Sequence, residues 1–385
     1  MTFSDPVVAF ASGQDDPTRP LVVLLHGRGA DEQSILGLAA HLPAGASYAA
    51  VRAPIGEGGG YAWFANRGIG RPVAESLAET MAWFRTWLDG VAPEGRPVVL
   101  LGFSGGAAFA GGLVLSDPGR YTGAAILYGT LPFEDAGVRV EPGALTGLPV
   151  FVAQGDQDHV IPRELLDRTW RHLVQDSGAA PWSRRDPGGH GLSQETAGEL
   201  ALWLADRLSW VAHHGTAPVG RTDGVTWPTL PDGALPRRAG DRPEVHSRIP
   251  QSQVSDTSPP ELQEALWARI SALPGLTSGP SQISVPGARG LVARQATGPD
   301  EAFLVPSVKE FAHLHPTHDG SLHLALPLDL VGDAVARGWA QLHMWAGVRL
   351  SPGFVMVYGP RDEVELDVVT GIVEASHAYA HGELG

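Results

Sequence analysis

The stretch Val98–Leu115, VVLLGFSGGAAFAGGLVL, constrains this chain more than any other. An apolar run meets Gly102-Phe103-Ser104-Gly105-Gly106, which fits G-x-S-x-G, and an Ala/Gly-rich helical run follows. Strand, tight turn and helix in that order are what a nucleophile elbow requires. The turn strains the serine backbone, so the residues two before and two after it must be small. The helix start then aims free N–H groups at the serine. In a chain with 49 glycines the pentapeptide alone could be a turn with a capping serine. Its context and its downstream partners argue for a nucleophile.

The pattern around this motif alternates. Leu21–Leu25, Tyr48–Arg52, Val98–Leu101, Ala124–Tyr128 and Val150–Ala153 predict buried strands. Val73–Asp89 and Arg163–Gln175 predict helices, and Glu195–Val211 a closing amphipathic helix with Leu200, Leu202, Leu204 and Leu208 near one side. Such alternation predicts an α/β domain over residues 1–212, with a mostly parallel sheet covered on both faces. Residues 213–257, rich in Pro, Gly, Ser, Asp and Arg, predict a linker. Residues 258–385 predict a smaller α+β domain with a mostly antiparallel sheet. Its elements are a helix, Glu261–Leu273, and the short runs Gln282–Val285, Leu291–Arg294, Leu322–Leu326, Phe354–Val357 and Val364–Val368. Two domains also suit 385 residues, more than one core usually serves.

A nucleophilic serine needs a base, and the base an orienting carboxylate. In this fold class the order is Ser, acid, His. The run PVFVAQGDQDHVIP ends a strand and offers Asp156 and Asp158. Asp158 is preferred, because Val160-Ile161-Pro162 anchors its loop. Pro187-Gly188-Gly189-His190-Gly191 then supplies the histidine, its glycines letting the imidazole approach; His26, His159, His172, His213 and His214 fit the order or the loop position less well. An oxyanion hole needs two backbone donors. Gly105 is one, and Arg28, in the loop Leu24–Asp31, is the other. His26 reads as structural. The Arg28 side chain is open between the substrate mouth and solvent.

Bulk numbers exclude whole classes. The net charge of −15 argues against phosphate-backbone binding and an anionic membrane surface. The absence of cysteine excludes disulfides, thiolate nucleophiles and Cys-ligated zinc. MTFSDPVVAF carries no signal-peptide pattern, and no apolar run reaches membrane-span length, so a cytoplasmic protein is expected.

The stretches LHGRGADE, RAPIGEGGGYAWF, LGFSGGAA, GDQDHVIP and GGHGLSQE resemble, in this order, the phospholipase/carboxylesterase family with its acyl-protein thioesterase-like enzymes. The resemblance covers residues 20–205. It implies an α/β-hydrolase fold and hydrolysis of carboxylic esters or thioesters without metal or cofactor. It gives Ser104, Asp158 and His190 the triad roles, the Arg28 and Gly105 amides the oxyanion hole, and Trp63 and Phe64 places near the acyl site. Two positions depart from the family, Gly105 where Gln is usual and Gln154 where His is usual. About twenty residues separate Tyr128 from Val150, too few for a helical cap. An open site lined by Trp63, Phe64 and Leu131-Pro132-Phe133 is expected, suited to small or medium acyl groups.

The second half, through ISVPGARG, KEFAHLHPTHDGSLHLALP, ARGWAQLHMWAG and VMVYGPRDEVELDVV, resembles a bacterial luciferase-like domain of undefined role, from which no light emission is inferred. Its chemistry-bearing residues are His313, His315, His318 and His323, with Asp319 and the more distant His343. If Phe311–His315 is a strand, His313 and His315 share a face, and His323 returns beside them after a turn at Thr317–Gly320. A metal needs all three rings convergent, neutral and supported by carboxylates. The expectation is instead a polar pocket for an anionic or carbonyl-bearing ligand, without tightly bound metal; Arg361-Asp362-Glu363 reads as a charged turn. The leading function is an ester or thioester hydrolase with an accessory module. The alternatives are a ligand-binding or sensing protein with low turnover, or a two-enzyme fusion.

Overall fold

The computed structural model describes residues 3–93, 95–134, 138, 140–215, 224–246 and 248–384. Two compact units form. One comprises Met1–Val140, Leu148–Leu173 and Pro181–Ala217, the other Glu141–Gly147, Val174–Ala180 and Pro218–Gly385.

The first unit is built on a seven-stranded sheet. Its strands are β1 (Val8–Phe10), β2 (Leu21–Leu25), β3 (Ser47–Val51), β4 (Val98–Phe103), β5 (Gly123–Leu127), β6 (Pro149–Gly155) and β7 (Ala180–Asp186), in the order β1-β3-β2-β4-β5-β6-β7. β1 pairs antiparallel with β3, and the ladders from β3 through β6 are parallel. The five parallel strands are almost wholly buried, the near-continuous apolar type of a sheet covered on both faces. The expected mostly parallel sheet is present.

The helices that flank this sheet are α1 (Glu32–Leu36), α2 (Ala74–Val91), α3 (Gly105–Ser116), α4 (Arg163–Arg171) and α5 (Gln194–His214). α3 is buried from Gly106 to Leu115 and apolar all round, as a helix against a sheet centre should be. In α5 the inward stripe is Leu200, Trp203, Leu204, Arg207 and Val211, at helical spacing. Leu202, expected on that stripe, is 57% exposed, because it lies two residues from Leu200 and so near the opposite face.

The second unit holds a six-stranded sheet of β8 (Thr277–Pro280), β9 (Arg289–Val292), β10 (Glu310–Leu314), β11 (Leu322–Ala325), β12 (Ala340–Leu342) and β13 (Phe354–Val357), ordered β8-β9-β10-β11-β13-β12. Every pairing is antiparallel. Helices α6 (Pro260–Ser271), α7 (Leu328–Ala336) and α8 (Glu363–Ala380) join it. Leu314, Leu322, Leu324, Val355, Leu366, Val369 and Ile372 share its core.

Two sequence expectations fail here. Val364–Val368 is the first turns of α8, not a strand. Asp362 caps it by accepting the Glu365 amide, a helix start that the alternating residues disguised. Gln282–Val285 is irregular, because its place in the sheet is taken by Thr277–Pro280. Of the stretch read as linker, residues from Gly224 onward lie in the second unit. Trp227 and Leu235 are fully buried there, and Trp227 Nε1 donates to Asp333 at 2.8 Å. These apolar anchors are too widely spaced to signal a regular element.

Candidate active site

β4 delivers Ser104 to the first turn of α3. Its φ of 53° and ψ of −113° are strained for a residue with a Cβ, and its amide donates to Leu127 O at 2.9 Å. The flanking glycines are sterically required. A Cβ on Gly102 would stand 2.2 Å from Gly106 O, and one on Gly106 2.2 Å from Leu25 O.

The loops after β6 and β7 are tied by main-chain bonds, Asp156 N to Asp186 O (2.7 Å) and Gln157 N to Gly188 O (2.9 Å). This brings two side chains together. Asp158 Oδ1 accepts the amides of Val160 (2.9 Å) and Ile161 (3.1 Å), so the apolar anchor after it does fix its loop. Asp158 Oδ2 lies 2.8 Å from His190 Nδ1, and His190 Nε2 lies 2.9 Å from Ser104 Oγ. A carboxylate only accepts, so Nδ1 carries the ring proton and Nε2 presents its lone pair to the serine hydroxyl. Asp156 is exposed and outside this chain of contacts.

Opposite the serine, a Cβ on Gly105 would stand 3.2 Å from Arg28 N, so the two expected amide donors are neighbours. The Arg28 side chain is settled by contacts: its guanidinium pairs with Glu57 and donates to Phe64 O at 3.0 Å. His26 is structural, its Nδ1 donating to Gly27 O (2.8 Å) and its Nε2 accepting from Ala53 N (3.0 Å). Burial lowers its pKa, in keeping with a neutral ring.

These groups line a cavity of about 550 Å³ with Ile35, Trp63, Phe64, Ile69, Val160 and Ile161. Trp63 is a buried wall, stacked on Phe109 and donating to His26 O at 2.8 Å. Leu131, Pro132 and Phe133 do not line the cavity; Thr130 does. Leu131 instead fills the space beside Gly111, and Phe133 faces His172.

Sequence reasoning passed over Asp186. Buried, it accepts from Thr196 Oγ1 (2.6 Å), Ser193 Oγ (3.0 Å), Arg184 Nε (3.2 Å) and the Tyr128 hydroxyl, and so anchors the start of the His190 loop. Burial pushes its carboxyl up, but these hydrogen bonds outweigh burial and hold it below the usual carboxylate value. Tyr128 is pushed up to about 12 by burial. Asp186→Ala is expected to cost about 3–5 kcal/mol in urea unfolding, since it strands buried donors. A carboxyl that titrates lower folded than unfolded stabilises fully above its unfolded value. That contribution is lost as pH falls through the folded value, so the gap between wild type and variant should narrow only in strong acid.

The second unit gathers its histidines as well. Register pairs His313 with His323 across β10 and β11, and His315 stands beside both, with ring centroids 5.3 and 4.6 Å away. All three are buried, whereas His318 is exposed in the turn. His343 stacks on Phe354 at 4.6 Å.

Residues 8–178 match the phospholipase/carboxylesterase family and residues 308–376 match the luciferase domain family. A luciferase of Armillaria gallica is 34% identical over 170 residues, 39% of this chain and 62% of that protein. The chain thus spans under two thirds of the length of the fungal luciferases it matches. A putative hydrolase of Bacillus subtilis (strain 168) is 27% identical over 193 residues, 49% of this chain and 94% of that protein. The crystal structure of a Mesorhizobium loti carboxylesterase is 26% identical, with TM-score 0.44, covering 52% of this chain and 93% of its own. The family match of the first unit supports a carboxylic ester hydrolase. Among the described residues no helix is long and apolar enough to cross a membrane.

Proposed function

We propose that the first unit is a serine hydrolase that cleaves carboxylic esters or thioesters of small to medium acyl groups. One observation supports this above all: the continuous contact from Asp158 through His190 to Ser104, the last two lining a mostly apolar cavity. In this reading His190 Nε2 removes the Ser104 proton as Oγ attacks the acyl carbon. Asp158 holds the tautomer and stabilises the imidazolium. The amides of Arg28 and Gly105 receive the oxyanion. His190 then protonates the leaving alcohol or thiol, and water repeats the sequence on the acyl-enzyme. No metal or cofactor enters these steps.

The cavity supports the reading of small to medium acyl groups. Two of its lining residues, Ile69 and Val160, are 54% and 47% exposed, in keeping with an open site. Trp63 and Phe64 are buried members of its lining, and a cavity of about 550 Å³ suits short and medium acyl chains better than long ones. With a net charge of −15, we place the protein in the cytoplasm with a small-molecule substrate and neither nucleic acid nor membrane as partner. We take the hydrolase domain as residues 1–212 and the second unit, with its described residues from Gly224 onward, as accessory. A two-enzyme chain is the second reading, favoured by the separate histidine-lined cavity.

A fluorophosphonate probe and a chain-length panel of chromogenic esters test this together. The probe should label Ser104 alone, as mapped by peptide mass, and kcat/KM should peak at short or medium chains and fall at palmitoyl. Labelling elsewhere, or a palmitoyl optimum, contradicts the proposal.

A further inference from the structure

The three histidines of the second unit do more than share a pocket; their hydrogen bonds fix where each lone pair points. His315 Nδ1 lies 2.6 Å from Asp319 Oδ2, and His313 Nδ1 lies 3.2 Å from Glu310 Oε1. Carboxylates only accept, so both rings carry their proton on Nδ1 and leave Nε2 bare. The nearby hydroxyls do not change this. Ser321 Oγ donates to Asp319 Oδ1 and Ser281 Oγ to Glu310 Oε1, each at 2.6 Å. His323 has the opposite arrangement. Its Nε2 lies 3.1 Å from Gln251 Oε1, and the Gln251 amide nitrogen points to Leu342 O at 3.4 Å, an orientation in which Oε1 accepts from the ring. His323 is therefore bare on Nδ1.

Those assignments leave a conflict that a cation resolves. His313 Nε2 and His323 Nδ1 face each other at 3.2 Å, each presenting a lone pair. His315 Nε2 has no hydrogen-bond partner among the described residues. One nitrogen from each ring lies within 4.8 Å of the others. Metal–nitrogen bonds of about 2.0–2.1 Å at tetrahedral angles would put the nitrogens about 3.3 Å apart. A shared proton could satisfy one pair but not the third ring.

Charge gives an independent reason. Glu310 and Asp319 are buried, and among the described residues neither has an Arg or Lys partner. Two buried carboxylates without a compensating cation are costly; a divalent ion bound by three neutral rings balances both. The fold makes the arrangement by a defect. Strand register against β9 skips Phe311, pairing Val292 with Glu310 and Leu291 with Ala312. That bulge returns Glu310 to the face of His313, three residues on, which a regular strand would forbid.

We propose that His313 Nε2, His315 Nε2 and His323 Nδ1 bind a divalent first-row transition-metal ion, with Glu310, Asp319 and Gln251 as positioning residues. Imidazole nitrogens favour such ions over calcium or magnesium, which take oxygen ligands. His343 stands outside the set, its Nδ1 accepting the Trp345 amide at 3.1 Å. Three protein ligands leave coordination positions open. They adjoin a cavity of about 280 Å³ walled by Ile249, Pro250, Ile283, Val285, Leu350 and Phe354. That space suits a small apolar or aromatic ligand with an oxygen donor.

Cobalt(II) is the probe. Full-length protein stripped with chelator and titrated with Co(II) should bind one equivalent, with Kd below about 1 µM, and develop visible ligand-field bands that Zn(II) abolishes. His315→Ala should weaken binding at least 100-fold. Asp319→Asn, which keeps the shape but removes the charge, should weaken it about 10–100-fold. His318→Ala, in the exposed turn, should leave it unchanged. Circular dichroism checks that each variant is folded, and if His315→Ala is not, Asp319→Asn and His318→Ala decide. No saturable binding near one equivalent, or binding that Asp319→Asn leaves intact, overturns the proposal.

Discussion

Ser104→Ala should lower kcat on the best ester by about 10⁴–10⁶-fold, with the fold intact. At about 1.4 kcal/mol per tenfold, the larger figure corresponds to about 8 kcal/mol of barrier. The size follows from what is lost. The alanine variant keeps the Arg28 and Gly105 amides and the apolar cavity, so it should retain the modest acceleration that binding and oxyanion stabilisation provide to attack by water. It loses the covalent step altogether. Stability should not improve: Ser104 sits at φ 53°, where alanine is no better, so no gain is expected from relieved strain. Steady-state kinetics with active-site titration of the wild type measures the ratio. A loss of less than about tenfold would remove Ser104 from the chemistry, and with it the whole hydrolase reading.

Whether a feature of this molecule is legible in its sequence depends on whether the constraint behind it is local. The elbow is local: strand, turn and helix are contiguous in Val98–Leu115, and the glycines needed at positions 102 and 106 are visible as letters. The preference for Asp158 is also local, because the residues after it supply the amides that hold its carboxylate. Asp186 is not legible: Arg184, Ser193 and Thr196 lie within ten residues of it, but no repeat or spacing shows that the loop folds them onto its carboxylate, and Tyr128 reaches it from 58 residues away. Leu131–Phe133 mislead for a related reason: apolar residues after a sheet strand can face the pocket or the sheet, and only the space beside Gly111 decides.

The second unit is harder because its signals compete. Val364-Glu365-Leu366-Asp367-Val368 alternates as a strand would. The helix it starts is set by the Asp362 cap and by Leu366, Val369 and Ile372 at helical spacing, which emerges only in a longer window. The facing of His313, His315 and His323 is readable from period-two spacing and a short turn. Glu310 is not, since alternation puts residue 310 opposite 313 and the bulge at Phe311 reverses it. Gln251 is equally hidden, since it reaches His323 from 72 residues away.

Asp158→Asn should reduce kcat by about 10⁴-fold while Asp156→Asn leaves it within a few fold. The asymmetry tests the geometry more sharply than removal of the serine, because both residues lie in one loop and the substitutions are near-isosteric. An asparagine in place of Asp158 could still accept the Val160 and Ile161 amides through its carbonyl, so the loop should hold its shape. Its amide group would then face His190 Nδ1 as a donor, forcing the ring to protonate Nε2 instead. That nitrogen, 2.9 Å from Ser104 Oγ in the wild type, would present a proton where the mechanism needs a lone pair. The imidazolium would also lose its counter-charge. Asp156, exposed and held through its main chain to Asp186 O, has no such role. Fluorophosphonate labelling rate gives a second readout, since it too needs the base: it should slow in Asp158→Asn and not in Asp156→Asn. Equal losses in the two variants would mean that the loop, and not one carboxylate, is what His190 depends on.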